Sequence, residues 1–273
     1  MNSKKILWHS VMTVIIILLA VFAFLVIETK YPEKLSGDMS GYSDVELAEI
    51  AVREFIGNSS VILEYKGTEE TVYGDFYEFS TADGGMFYVD SVGFEISRAR
   101  FPSDWNEMTE VKISLEDAEG IARDFIAEKT PRSEVEKLET IEGKLQDHGS
   151  FKEYSFTFNE IEDGVELLKY VHVALNPSTG DVISYIRLWR ETEVSLVPAI
   201  SDEEALKIAE DQFEGIVVTE SDAWLTIQYP EENKQRLTWL VQITGEPKDF
   251  IMVGGLVSID AQTGKVYQVA HYA

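Results

Sequence analysis

Ser201-Asp-Glu-Glu-Ala-Leu-Lys-Ile-Ala209 reads as the first turns of a helix. The Ser201 hydroxyl is placed to accept from the free N–H groups of the first turn, and Glu204, three residues on, completes a capping box. Ala205, Ile208, Ala209 and Phe213 follow at helical spacing and make one apolar face. Further along, Val257-Ser-Ile-Asp260-Ala-Gln-Thr-Gly264-Lys-Val266 reads as two strands joined at a corner. Asp opens such a turn by accepting from backbone N–H groups ahead of it, and Gly supplies the positive φ that closes it.

The same start occurs twice more. Ser43-Asp-Val-Glu-Leu-Ala-Glu-Ile-Ala51 and Ser114-Leu-Glu-Asp-Ala-Glu-Gly-Ile-Ala122 lie upstream, with Phe55 and Phe125 closing their apolar faces. Successive Ser starts are 71 and 87 residues apart, so the chain is read as a repeat before it is read for motifs. Glu46 completes a second capping box; Asp117 is a shorter variant. The helices are expected to end near Gly57, Thr130-Pro131 and Gly215.

Strand-like runs follow each helix: 61–65, 72–79, 86–89 and 94–99 in the first unit, and 135–145, 151–161, 165–175 and 182–189 in the second. The third has 216–219, 224–229, 237–243, 251–259 and 266–269. Tyr154, Phe156 and Phe158 alternate with Ser155, Thr157 and Asn159, the period of a strand with one buried face. Glu162-Asp163-Gly164 reads as a hairpin turn. The second unit repeats the corner as Val173-Ala-Leu-Asn176-Pro-Ser-Thr-Gly180-Asp-Val182. The first has only a shortened form, Val89-Asp90-Ser91-Val92-Gly93-Phe94.

A Ser-capped helix followed by a meander that ends in aliphatic-x-aliphatic-Asp-Ala-x-Thr-Gly-x-Val resembles the PepSY module. The third unit carries that motif, the second carries it with Asn176-Pro177, and the first keeps the helix but lacks Thr-Gly. The layout also resembles YpeB-type germination proteins and YcdB-type repeats of bacteria. The resemblance implies a regulated peptidase or cell-envelope hydrolase as partner.

Ile6 to Ile27 is a nearly unbroken apolar run, and about twenty such residues span a bilayer. Lys4 and Lys5 precede it and no net positive charge follows, which places the N-terminus in the cytoplasm and the rest outside. A cleaved signal peptide ending at Val21-Phe22-Ala23 is the rival reading; Phe24 to Ile27 extends the apolar run past that point.

The expected organisation is therefore a cytoplasmic tail and transmembrane anchor at 1–29 and a stalk at 30–41. Modules follow at 42–101, 112–192 and 200–273. The fold class is α+β, each module one helix packed on a small antiparallel β-meander.

Composition narrows the function. The protein has 273 residues, 49 Asp plus Glu against 23 Lys plus Arg, and a formal net charge of -26. That charge repels phosphate backbones and disfavours nucleic acid. It leaves weak divalent-cation binding open. There is no Cys, so disulfides, thiolate catalysis and Cys-ligated metal are excluded.

No nucleophile elbow or phosphate-binding Gly loop is present. His9, His148, His172 and His271 have no metal-ligand spacing among them; His172 is expected to face solvent or a polar neighbour. Asn159-x-x-x-Asp163-Gly164 fails as a calcium loop because Ile161 and Tyr170 occupy ligand positions. Asp260 and Asn176 are read as turn residues, Trp189, Trp224 and Trp239 as packing between helix and sheet, and Asn58-Ser59-Ser60 as a sequon.

No catalytic, cofactor-binding or metal residue is assigned, and no cofactor is expected. The expected role is a non-enzymatic, membrane-anchored binding module acting on an envelope peptidase or hydrolase. A cation- or peptide-binding assembly protein is the alternative, and a carboxylate-based hydrolase ranks after it.

Overall fold

The Ser43, Ser114 and Ser201 N-caps adopt nearly the same extended backbone, with φ -75° at each and ψ 159°, 162° and 167°. Each hydroxyl accepts from the backbone N–H three residues on. The reciprocal bond is present at Ser43 with Glu46 and at Ser201 with Glu204. At Ser114 the shorter Asp117 instead accepts from the Ser114 hydroxyl at 2.6 Å. These caps and their location come from a computed structural model that describes residues 41–103, 108–130, 132–231, 234–246 and 253–272. The expected anchor and stalk lie outside those residues. Among the described residues no helix is long and apolar enough to cross a membrane.

The elements run in the order α1 (Asp44–Ile56), β1 (Leu63–Thr71), β2 (Gly74–Thr81), β3 (Met86–Asp90) and β4 (Ile96–Arg100). Then come α2 (Leu115–Lys129), the single-turn α3 (Arg132–Val135), β5 (Leu138–Asp147), β6 (Lys152–Glu162), β7 (Val165–Leu175) and β8 (Val182–Trp189). The last set is α4 (Asp202–Glu210), β9 (Val218–Glu231), β10 (Lys234–Gly245), β11 (Gly254–Asp260) and β12 (Val266–His271). The fold is mixed helix and sheet, as the sequence predicts.

Two compact units result. One comprises the described residues up to Asn159 together with Tyr170–Leu188; its strands lie in the order β1-β2-β3-β4-β8-β7-β6-β5. This unit draws on both upstream repeats. β4 and β8 pair antiparallel, with Arg98 opposite Ile186 and Ala99 opposite Tyr185.

The α1 face (Ala48, Val52, Phe55) and the α2 face (Ala118, Ala122, Ile126) enter one core with Phe79, Phe87, Phe156 and Tyr185. Phe55 sits 6.1 Å from Phe125, edge to face, and 5.3 Å from Tyr185. The two helices thus bury their apolar faces in one shared core.

The other unit comprises Glu160–Lys169 and the described residues from Trp189 on. β9, β10, β11 and β12 form an antiparallel meander. Val165 and Glu166 add to β9 in parallel. Alternation along β10 puts Leu237, Trp239, Val241 and Ile243 on one face. The Trp239 indole donates to the Ile200 carbonyl just ahead of α4, which marks that face as the one the helix covers. Ala205, Ala209 and Phe213 are buried from the helix side.

Several expectations shift. The runs 216–219 and 224–229 are one strand, because Glu220, Ser221, Asp222 and Ala223 each pair with β10; continuous cross-strand bonding overrides their polar composition. α4 ends at Glu210 rather than near Gly215, with Asp211 at its C-terminus. β1 runs on through Gly67 to Thr71 by way of a register shift between Tyr65 and Gly67. The 162–164 turn is the hairpin expected, with φ 50° at Asp163 and 80° at Gly164, the pairing that suits the twist of the flanking strands.

Candidate functional site

The corner between β11 and β12 is built around Asp260. Its Oδ1 accepts from the N–H groups of Gln262 at 2.9 Å and Thr263 at 2.8 Å. Its backbone closes the turn: Gly264 N–H donates to the Asp260 carbonyl, and Asp260 N–H to that of Lys265. The Ala261 carbonyl, next in line, accepts from Ala199 and Ile200, the residues that lead into α4. Gly264 has φ 74°, and a Cβ there would lie 3.1 Å from Ile208 Cδ1 on α4. The corner thus ties the end of the meander to the start of the helix.

The second repeat shares most of these bonds. Asn176 Oδ1 accepts from Ser178 N–H, Gly180 N–H donates to the Asn176 carbonyl, and Asn176 N–H to that of Asp181. The Pro177 carbonyl accepts from Lys112 and Ile113. Gly180 has φ 83° and meets Ile121, which stands in α2 where Ile208 stands in α4. In the first repeat Asp90 caps Val92 N–H and bonds the Glu95 carbonyl. A Cβ at Gly93 would meet nothing within 4 Å, so the shortened corner keeps the cap and loses the close approach.

Asp260 differs from Asn176 in its second oxygen. Oδ2 accepts from the Tyr267 hydroxyl at 2.5 Å. Burial works against the Asp260 charge, but the Tyr267 hydroxyl and the Gln262 and Thr263 amides outweigh it and hold the carboxyl below the usual range. Burial and this same bond push the Tyr267 phenol up to about 12.

Beside the corner is an open groove of about 440 Å³, lined by Val194, Ser195, Glu231, Arg236, Lys265 and Tyr267 among others. Arg236 Nη2 is 3.6 Å from one Glu231 oxygen and Lys265 Nζ is 3.4 Å from the other. Lys265 Nζ also lies 4.9 Å from the centre of the Tyr267 ring. Lys265 draws the Glu231 carboxyl below its ordinary range. Glu231 and Arg236 flank the β9–β10 connection, and β10–β11 pairing of Thr238 with Asp260 brings them to the corner.

Comparison with known proteins bears on this region. Residues 199–267 match the family model for PepSY, described as the peptidase propeptide and YPEB domain. The chain carries a PepSY domain at those residues. The PepSY match therefore runs from the entry to α4 through the Asp260 corner into β12. The protein is also similar to the Bacillus megaterium YpeB C-terminal domain, at 19% identity and a TM-score of 0.46, over 84% of this chain and 97% of that one. No curated protein matches.

The sequence singles out Asp260, Asn176 and the His residues, and the structure places each. Asp260 and Asn176 are the turn residues expected. His148 bonds Glu153 at 3.1 Å and stacks on Phe151. His271 meets the edge of Phe213. Of the two settings expected for His172, solvent or a polar neighbour, the structure shows the second: it is buried, its Nδ1 3.0 Å from the Thr157 hydroxyl. His9 lies outside the described residues. Trp239 packs between helix and sheet as expected, whereas Trp189 and Trp224 are only partly buried.

Among the described residues no group of three or more His, Asp or Glu is placed to hold a metal ion. The groove residues Glu231, Arg236 and Tyr267 carry no sequence signal of their own. The register of β9, β10 and β11 brings Glu231 and Arg236 to the corner, and Tyr267 reaches Asp260 from the start of β12 just past the turn.

Proposed function

We propose that this PepSY-domain protein is a non-catalytic binding module. It is held outside the cell membrane by its N-terminal apolar segment, and it regulates a peptidase or cell-envelope hydrolase by direct contact. The match of residues 199–267 to a family described by peptidase propeptides carries the reading. The matched span coincides with a helix, a meander and a corner whose polar groups are engaged in holding the turn, which suits a scaffold for contact. Lys4 and Lys5 ahead of the apolar run support the orientation.

The test is purification of the full-length protein from membranes of the producing cells after chemical cross-linking. An envelope peptidase or hydrolase is expected to co-purify, and its activity is expected to change when the purified protein is added back. Recovery of no such enzyme, with surface proteolysis and wall hydrolysis unchanged on deletion, contradicts the reading.

A further inference from the structure

The Arg236 guanidinium is under-used. An arginine has five N–H donors. Among the described residues its only polar side-chain partner is Glu231, at 3.6 Å, beyond hydrogen-bond distance. Its Nε is buried with no hydrogen-bond partner among the described residues. Lys265 reaches the same carboxylate, at 3.4 Å. Two cations thus share one loosely held glutamate at the wall of an open groove. The groove, at about 440 Å³, is of the size that takes a small ligand or a few residues of a peptide.

The charge of the molecule selects among anions. At -26, the protein repels a polyanion over its whole length. A single carboxylate in the groove feels mainly the charges that line it, because charges beyond about 8 Å are screened at physiological salt. There Arg236 and Lys265 face Glu231 and Asp260, and the Asp260 oxygens are already engaged by the Gln262 and Thr263 amides and the Tyr267 hydroxyl. Arg pairs with a planar carboxylate through two parallel N–H groups, which Glu231 does not satisfy here. Val194, Leu237 and the Tyr267 ring supply apolar and aromatic wall beside the cations.

We propose that Arg236 and Lys265 form a subsite for one carboxylate of a peptide segment, with Glu231 as the internal group that the incoming carboxylate displaces. This deepens the regulatory reading and rests on it for the source of the segment, an extended stretch of the partner enzyme. The carboxylate is either a free peptide C-terminus or an Asp or Glu side chain.

The test uses the full-length protein in detergent micelles and fluorescence anisotropy with three dye-labelled hexapeptides of one Val-Thr-rich sequence. The first has a free C-terminus and no acidic side chain. The second is amidated with a central Glu, and the third is amidated with no acid. At least one carboxylate peptide is expected to bind about tenfold or more tightly than the third.

Arg236→Gln is expected to abolish that preference, and Glu231→Gln to strengthen binding several-fold by removing the competitor. If Arg236→Gln fails to fold, the Glu231→Gln result decides. Equal binding of all three peptides, no binding into the millimolar range, or weaker binding by Glu231→Gln overturns the subsite. Failure to recover an envelope enzyme from membranes while this titration succeeds would sink the regulatory reading and leave the subsite standing.

Discussion

Gly264 lies against Ile208 so closely that a Cβ on the glycine would sit 3.1 Å from the isoleucine Cδ1. Gly180 and Ile121 repeat the relationship in the other unit. In both places the helix crosses directly over the corner, and the turn demands a positive φ. Gly264→Ala is expected to destabilise its unit by about 1–2 kcal/mol, chiefly through backbone strain, since the tip of Ile208 can yield. Gly149 has φ 80° and open space around it. Gly149→Ala should therefore show the backbone cost alone, and urea unfolding of the variants separates the two effects.

Asp260 can be tested against its own counterpart. Asp260→Asn keeps the oxygen that caps Gln262 and Thr263 and disturbs only the Tyr267 bond, so a loss of about 1 kcal/mol is expected. Asp260→Ala leaves both amides and the phenol without their acceptor, and about 2–3 kcal/mol is expected. Equal losses in urea unfolding would show that the Oδ1 cap contributes nothing.

The same pair sets a pH window. Asp260 is held below its ordinary carboxylate range, so its contribution is present above that range and is lost as pH falls through the lowered value. Tyr267 keeps its proton up to about 12 in the folded state, against 10.0 ordinarily, so its contribution is lost as pH rises between those values. Ultraviolet titration of Tyr267→Phe against the parent should show one late-ionising phenol fewer in the variant.

Acid acts on the other unit through His172. Burial, with Lys144 nearby, pulls its imidazole from 6.5 down to about 4. The unfolded state then takes up a proton that the folded state refuses, so stability falls as pH drops from 6.5 towards 4 and levels off below. The full effect is about 3 kcal/mol. His172→Gln is expected to flatten the dependence of the urea midpoint over that interval.

Arg187 joins the two upstream repeats within their unit. Its buried guanidinium bonds Glu95 at 2.5 Å and Glu134 at 2.9 Å, and its carbonyl accepts from the Ser97 hydroxyl. Arg187→Met removes the shared cation and leaves Glu134, which is largely buried, without it; about 3 kcal/mol is the expected cost. Adding Glu134→Gln should restore part of that loss in thermal unfolding.

What the sequence makes legible is local. Ser43, Ser114 and Ser201 cap helices because a hydroxyl and an acid three residues on are enough to specify the turn. Asp260 and Gly264 specify the corner in the same way. The long-range pairings are not written in any window of residues. Glu220 to Asp222 look like a loop until β10 lies beside them. The pairing of β4 with β8, and the shared core of Phe55, Phe125 and Tyr185, join two repeats that look self-contained in sequence. Arg236 meets Glu231 across the short β9–β10 turn, but Lys265 lies 34 residues from Glu231, and only strand register makes those two neighbours.

The most direct measurement is site-specific photo-cross-linking in intact cells, with the reactive group placed at Gln262 on the rim of the groove. Cross-links to an envelope peptidase or hydrolase are expected, and they should diminish when Arg236 is changed to Gln. Cross-links to no such enzyme, from Gln262 in a protein that is present at normal levels, would contradict the regulatory reading.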